Sequence, residues 1–266
     1  MTADPIARQF VFDTYADLYD RSRPEYPRAM LSDLQADGIL HPAADVLEVG
    51  AGPGQLTAAV APLVASVTAL EPGDHLAQLA ERRVAGSGSV TVVRSAFERW
   101  TPPPGRRFDA IVAGTSFHWL ERGTRFRRSA TLLQPGGAIA ASWNMWDGNP
   151  LAQFDDLFDA LAPTMGERRR SGGSAPQRRD GDEPGRDLFE PWHDRSYRWE
   201  VRYAPRGLVE MLATHSAYHV IARQEREAVL DAIERRVPAG GIVIPYVTAL
   251  RVARLRPGGL RSQIYP

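Results

Sequence analysis

The 266-residue chain contains no cysteine. Disulfides, thiolate nucleophiles, zinc–thiolate sites and cysteine-held iron–sulfur clusters are therefore excluded. Lysine is absent as well, since all 32 basic side chains are arginine. Lysine Schiff bases, a lysine-anchored pyridoxal phosphate and a phosphate-loop lysine are thus impossible. Neither sign of charge is in excess: 32 acidic residues balance the arginines. That balance argues against a dedicated nucleic-acid or membrane-surface binder. No apolar run approaches the roughly 20 residues that span a bilayer. The segment Met1–Phe10 carries Asp4 and Pro5 and lacks the basic-then-apolar pattern of a secretory signal, so a cytoplasmic protein is expected. The histidines are scattered, and the one close pair, His215 and His219, has no neighbouring carboxylate in a ligand pattern. No metal is expected.

What the chain does have is a regular alternation from Asp45 onward. Short apolar runs read as strands at Asp45–Val49, Val67–Leu70, Val90–Val93, Phe108–Ala113 and Gly137–Trp143. Segments of helical period lie between them at Gln55–Val64, His75–Val84 and Glu121–Leu133. Near-continuous apolar strands separated by helices predict an α/β fold with a parallel sheet covered on both faces. Residues 1–40, with Pro24 and Pro27 interrupting aromatic segments, read as an N-terminal helical lid. Residues 41–144 form the core, 145–240 a helical cap insertion, and 241–266 a final strand and tail. Within the cap, Pro150–Leu161, Arg206–Thr214 and Arg223–Val237 read as helices and Ser196–Tyr203 as a strand. Residues 168–187 hold almost no apolar residue, so a flexible loop is expected there. The last strand, Gly241–Ala253, contains Pro245, which sits poorly in a sheet interior.

The sharpest local signal is Glu48-Val49-Gly50-Ala51-Gly52-Pro53-Gly54, a strand entering a glycine bend and then a helix. Glycines there permit a tight turn and close approach of a ligand to the backbone. Glu71 ends the next strand about 20 residues later, where a ribose would be held through its hydroxyls. The dinucleotide pattern G-x-G-x-x-G would need glycine at position 55, which is Gln55. A nicotinamide-dependent oxidoreductase is disfavoured accordingly. A carboxylate at Glu48 suits a cationic ligand better than a pyrophosphate.

These motifs resemble the class I S-adenosylmethionine-dependent methyltransferases, in the small-molecule branch known as type 11. The resemblance implies a Rossmann-like three-layer sandwich with a seven-stranded, mostly parallel sheet whose last strand is antiparallel. It implies S-adenosylmethionine as cofactor, with Glu48, Gly50, Ala51, Gly52 and Gly54 along the methionyl part. Leu70-Glu71-Pro72 matches the second motif, placing Glu71 and Pro72 at the ribose. Ser95-Ala96-Phe97-Glu98 falls at the adenine. Ala96 replaces the family's usual aspartate, leaving recognition to backbone groups and Phe97. Thr115 to Trp119 matches the stretch after the fourth strand, and Ala113-Gly114-Thr115-Ser116 lacks the Pro-Pro-aromatic run of enzymes that methylate nucleic-acid amines. Segments His215–Tyr218 and Ile244–Thr248 resemble the C-terminal pattern of the branch. A small-molecule substrate, no nucleic acid, no membrane, and a monomer or homodimer are expected.

Several residues carry two readings. Gln55 either touches the cofactor carboxylate or is exposed. His118, in the loop after the fourth strand, is either a general base or an imidazole packed on Trp119. Tyr15, Tyr19 and Tyr26 form a lid, with Arg23 pairing a cofactor carboxylate, or else the core of a docked helix. Trp143, Trp146, Trp192 and Trp199 wall a substrate pocket or belong to the core. A sulfonium-driven reaction does not require a base, and a non-consumptive use of the cofactor in cyclisation or regulation is the alternative to methyl transfer.

Overall fold

The computed structural model describes residues 13, 15–163, 166, 183–215, 218 and 221–258. Residues 168–182 of the expected loop, Ser216, Ala217, His219 and the tail from 259 lie outside the described residues, as do residues 1–12. Seven strands form one sheet in the order β3-β2-β1-β4-β5-β7-β6. They are β1 (Asp45–Val49), β2 (Ser66–Leu70), β3 (Val90–Val93), β4 (Phe108–Gly114), β5 (Leu133–Trp146), β6 (His193–Tyr203) and β7 (Ile242–Arg254). Strands β1 to β5 pair in parallel, and β7 runs antiparallel between β5 and β6. The fold is the Rossmann-like α/β sandwich with an antiparallel final strand.

Side-chain alternation along each strand builds two apolar layers. On one face Val46, Ala110, Ala138 and Val252 pack with helices α2 (Arg28–Ala36) and α3 (Gln55–Val60) through Met30, Leu34, Leu56 and Val60. On the other face Leu47, Ile111 and Ile139 meet Phe126 of α5 (Arg125–Leu132), together with Phe189. Phe126 is fully buried, a contribution of roughly 1.5–3 kcal/mol for a side chain of its kind. Helix α4 (Asp74–Arg83) follows β2. The cap consists of α6 (Asp155–Leu161), α7 (Pro205–Ala213) and α8 (Arg223–Arg236). Its core, with Phe154, Phe158, Leu212 and Ile233, closes on Tyr203, Ile244 and Tyr246 at one end of β6 and β7.

The N-terminal helix α1 (Ala16–Ser22) lies between core and cap, packing on α4 and on α7. Ala16 meets Leu76 and Leu79. Arg21 is paired with Glu210 at 3.0 Å, and Asp13 Oδ1 accepts the His75 and Leu76 amides at 2.9 Å, capping α4. Sequence order matters for where a ligand sits. The chain leaves β1 toward β3 and returns to β4 on the other side of β1. That reversal opens a crevice beyond the carboxyl ends of β1 and β4.

Three expectations need correction. The helix predicted at Glu121–Leu133 is confined to Arg125–Leu132, and β5 extends across Leu133–Trp146. The helix predicted at Pro150–Leu161 begins with a 3₁₀ turn at Ala152–Phe154 and is α-helical only from Asp155. Pro245 is accommodated inside the sheet: its carbonyl accepts the Asp147 amide at 3.0 Å, just past Trp146, the last β5 residue paired with β7. Amide and carbonyl of one strand residue face the same side, so the missing N–H points beyond the end of β5 and no ladder bond to β6 is lost. The charge-rich stretch is described from Glu183, and there it is docked. Glu183 is buried and paired with Arg125 at 2.7 Å. Among the described residues no helix is long and apolar enough to cross a membrane.

Candidate active site

A cavity of about 300 Å³ occupies the crevice. Its floor is the bend after β1, where Gly50 and Gly52 adopt φ of 68° and 58°. A β-carbon at Gly50 would come within 2.6 Å of Ser116 Cβ, so glycine is obligatory. At Gly52 a β-carbon would meet no protein atom within 4 Å and would instead occupy the cradle. Glu71, at the end of β2, lines the cavity. Its Oε2 accepts the Gly52 amide at 2.8 Å and its Oε1 the Gly73 amide at 2.9 Å. Each oxygen keeps a lone pair for one further donor. Burial pushes the Glu71 carboxyl up to about 7, against the pull of the Gly73 and Gly52 amides. Pro72 and Leu76 continue the wall, and Ser95, Ala96, Phe97 and Glu98 close the far end. There the Phe97 carbonyl accepts Arg128 Nε at 2.6 Å and the Ala96 carbonyl accepts the Trp100 amide at 3.0 Å.

Residues 46–137 match the family model for a methyltransferase domain. The chain is 27% identical over 251 residues to an uncharacterised methyltransferase of Mycobacterium tuberculosis, covering 89% of this chain and 92% of that one. It is 31% identical over 146 residues to another from Geobacillus kaustophilus, covering 50% of this chain and 66% of the other. The fold superposes on a proposed type II methyltransferase of Anaeromyxobacter dehalogenans with a TM-score of 0.59 at 23% identity, over 88% of this chain and 99% of that one. The matched segment is a methyltransferase domain, set on the fold that such domains share.

Domains of this kind use S-adenosylmethionine, and the residues present fit such a group. The decisive features are the open cradle over Gly52 and the spare lone pairs on both Glu71 oxygens. Other expected contacts of the methyltransferase are placed differently. Glu48 is 1% exposed and outside the cavity wall. Its Oε2 accepts the Thr57 hydroxyl at 2.6 Å, fastening β1 to α3 beneath the bend. Burial, opposed by that hydrogen bond, pushes Glu48 up to about 8. Of Glu48 and Glu71, only Glu71 lines the cavity. Ala51 is buried behind the bend, where its amide joins the Leu70 carbonyl at 3.0 Å. Gly54 is the left-handed residue that starts α3. Neither Ala51 nor Gly54 reaches the cavity wall. Gln55 lines a second, inner chamber instead.

Thr115 lies between the two chambers and lines both. It holds φ of 58°, a left-handed conformation costing a β-branched residue about 1–2 kcal/mol. Its amide donates to the Ser142 carbonyl at 2.7 Å, and its hydroxyl lies 3.4 Å from the Tyr26 hydroxyl. Tyr19, Arg23, Asn144 and His215 also border both spaces. The aromatic lid residue Tyr19 is thus a wall residue. Asn144 is the one side-chain amide in the carboxyl half of β5.

His118 reaches the cavity mouth beside Trp119, their ring centroids 4.7 Å apart. Trp143 Nε1 donates to His118 Nδ1 at 3.0 Å. A neutral imidazole that accepts at Nδ1 carries its proton on Nε2. In that hydrogen bond Nδ1 is the acceptor, which leaves the ring proton of the neutral form on Nε2. Nitrogen-15 spectra of the free protein should show His118 with Nε2 protonated and Nδ1 bare. Trp143→Phe should return a mixture of tautomers, and an unchanged pattern would remove Trp143 as the cause.

Proposed function

We propose that this methyltransferase moves a methyl group from S-adenosylmethionine to an oxygen, nitrogen or carbon atom of a small molecule, in the cytoplasm. The observation that carries the reading is Glu71, held by two amides with a lone pair to spare on each oxygen, beside a glycine bend on the wall of the cavity. When bound, the cofactor supplies a methyl group activated on a sulfonium. Glu71 holds the two ribose hydroxyls, and Gly50 and Gly52 let the amino-acid tail lie against the backbone. Pro72, Leu76 and Phe97 cover the base, with Ala96 leaving room where the family has a carboxylate. Displacement at a methyl carbon needs the reacting atoms in line and water kept away. The residues that do this are Thr115, fixed between the chambers, and helix α1, which closes the site from the side of α7. The inner chamber, about 270 Å³, is the size of a small organic molecule and not of a polymer.

Calorimetric titration with S-adenosylhomocysteine should show a single site of micromolar affinity. Incubation of the protein and methyl-labelled cofactor with a small-molecule panel should then move label to an acceptor. No nucleoside binding would refute the reading. Binding with no transfer to any acceptor would favour a non-consumptive role.

A further inference from the structure

The turn that follows β4 is held from outside as well as from within. Within it, the Trp119 amide donates to the Ser116 carbonyl at 2.8 Å and the Leu120 amide to the Phe117 carbonyl at 3.4 Å, the second a long bond. The 3₁₀ turn itself is only Phe117–Trp119, yet Ser116, His118, Trp119 and Leu120 all line the outer cavity. A single turn of this type is weakly determined by its own hydrogen bonds. The outside support is Arg125, the first residue of α5. Its Nη1 donates to the Phe117 carbonyl at 3.0 Å, and its guanidinium lies over the Phe117 ring, 4.7 Å from the centroid.

Arg125 is in turn aimed by Glu183. Its Nε donates to Glu183 Oε2 at 2.8 Å and its Nη2 to Oε1 at 2.7 Å, a two-point clamp on a planar group. Both side chains are 6% exposed. The carboxylate comes from 58 residues further along the chain, and its segment is seated flush on α5. Gly185 has φ of 82°, and a β-carbon there would lie 2.5 Å from Arg127 Cγ and 2.8 Å from the Arg127 amide nitrogen. Beyond it Phe189 forms a bridge with Leu255, the residue after β7. Stability alone does not account for the pair. A buried ion pair is often matched or bettered by apolar residues of the same volume. What apolar residues cannot reproduce is the third arm, the Nη1 donor on the Phe117 carbonyl.

We propose that Glu183, acting through Arg125, is a positioning residue of the outer cavity. The clamp fixes the guanidinium, and the guanidinium fixes the turn that carries His118, Trp119 and Leu120 against the bound nucleoside. Docking of the segment at Glu183 and binding of the nucleoside are then coupled, each strengthening the other by the same factor. Arg122 provides an internal control. Its Nε reaches the same Glu183 Oε1 at 2.9 Å, but its side chain is 66% exposed and shares the carboxylate from the solvent side. The proposal rests on the cofactor reading for the identity of the ligand, and not for the mechanical link itself.

Glu183→Gln keeps the size and one acceptor of the clamp but removes its charge. It should weaken S-adenosylhomocysteine about fivefold or more in calorimetry, with the stoichiometry still near one. In the nucleoside-free protein the same substitution should disturb the His118 nitrogen-15 signals, because the turn no longer holds Nδ1 on Trp143. Arg125→Met combined with Glu183→Leu fills the space with apolar side chains. That pair should keep a thermal stability near that of wild type and still lose the same affinity. Arg122→Ala should stay within about twofold of wild type. Unchanged affinity or unchanged His118 signals in Glu183→Gln would overturn the proposal, as would wild-type affinity in the apolar pair. Equal losses in Glu183→Gln and Arg122→Ala would overturn it too, since the effect would then be one of net charge. If the apolar pair does not fold, Glu183→Gln decides alone, its stoichiometry counting the folded protein. Failure of wild type to bind S-adenosylhomocysteine would refute the cofactor reading alone, because the His118 signals are read without nucleoside.

Discussion

Glu71→Ala lowers S-adenosylhomocysteine affinity by at least about a hundredfold, the loss of two hydrogen bonds from ribose to a charged group. The magnitude follows from burial, since Glu71 is 6% exposed and water cannot replace it as acceptor. The same substitution strips the acceptor from the Gly52 and Gly73 amides, so the bend itself loosens. Glu71→Gln separates the two effects: it keeps an oxygen for one amide and one hydroxyl, and should cost only about tenfold. The pH dependence has a definite sign. Free Glu71 titrates near 7 because burial outweighs its two amide bonds. Ribose hydroxyls donate best to the ionised form, so binding favours proton release. Affinity should rise as pH climbs toward 7 and level off above it. Calorimetry of wild type and both variants at pH 5.5, 7 and 8.5 measures this. A pH-independent affinity, or full binding by Glu71→Ala, would remove Glu71 from the ribose site.

Much of this was legible in the chain because strand ends declare themselves. The runs Asp45–Val49 and Val90–Val93 read as strands from their apolar residues, and both strands appear with those bounds. Glu71 was readable as a residue of the crevice because it follows Leu70, the last residue of β2, and is free of the sheet's alternation. Glu48 was not, although the period of the strand held the answer. It shares a face with Val46, which packs under α2 and α3, so its carboxylate meets Thr57 of α3 and not the crevice. The sequence pattern names the residue and the pleat decides its direction. The inner chamber was out of reach for a different reason. Gln55, Asn144, Trp146 and His215 come from α3, β5 and the segment after α7. Only the return of the chain to place β7 beside β5 brings Tyr246 opposite Trp146. Likewise the burial of Glu183 depends on Arg125 far from it in sequence, which composition of the surrounding stretch cannot reveal.

The direction of Glu48 has a thermodynamic consequence larger than any other single side chain in the site. Its folded pKa is pushed up to about 8 by burial, from an ordinary 4.5. A carboxyl raised in the folded state binds its proton more tightly there than in the unfolded chain. Its stabilising contribution is complete below pH 4.5 and is lost as pH rises toward 8, at about 1.4 kcal/mol per pH unit. The total loss reaches up to about 5 kcal/mol, a large share of the 5–15 kcal/mol typical of a whole protein. Glu71 adds to the loss in the same direction between 4.5 and about 7. Urea denaturation of the nucleoside-free protein should therefore show falling stability from pH 5 to 8.5. Glu48→Gln keeps an oxygen for the Thr57 hydroxyl and has nothing to ionise. At pH 5 it should be within about 1 kcal/mol of wild type, the cost of one unmet amide donor. At pH 8.5 it should be more stable than wild type by about 3 kcal/mol, with a shallower pH slope. Parallel slopes for the two proteins would mean that Glu48 ionises freely, and that water reaches the space between β1 and α3.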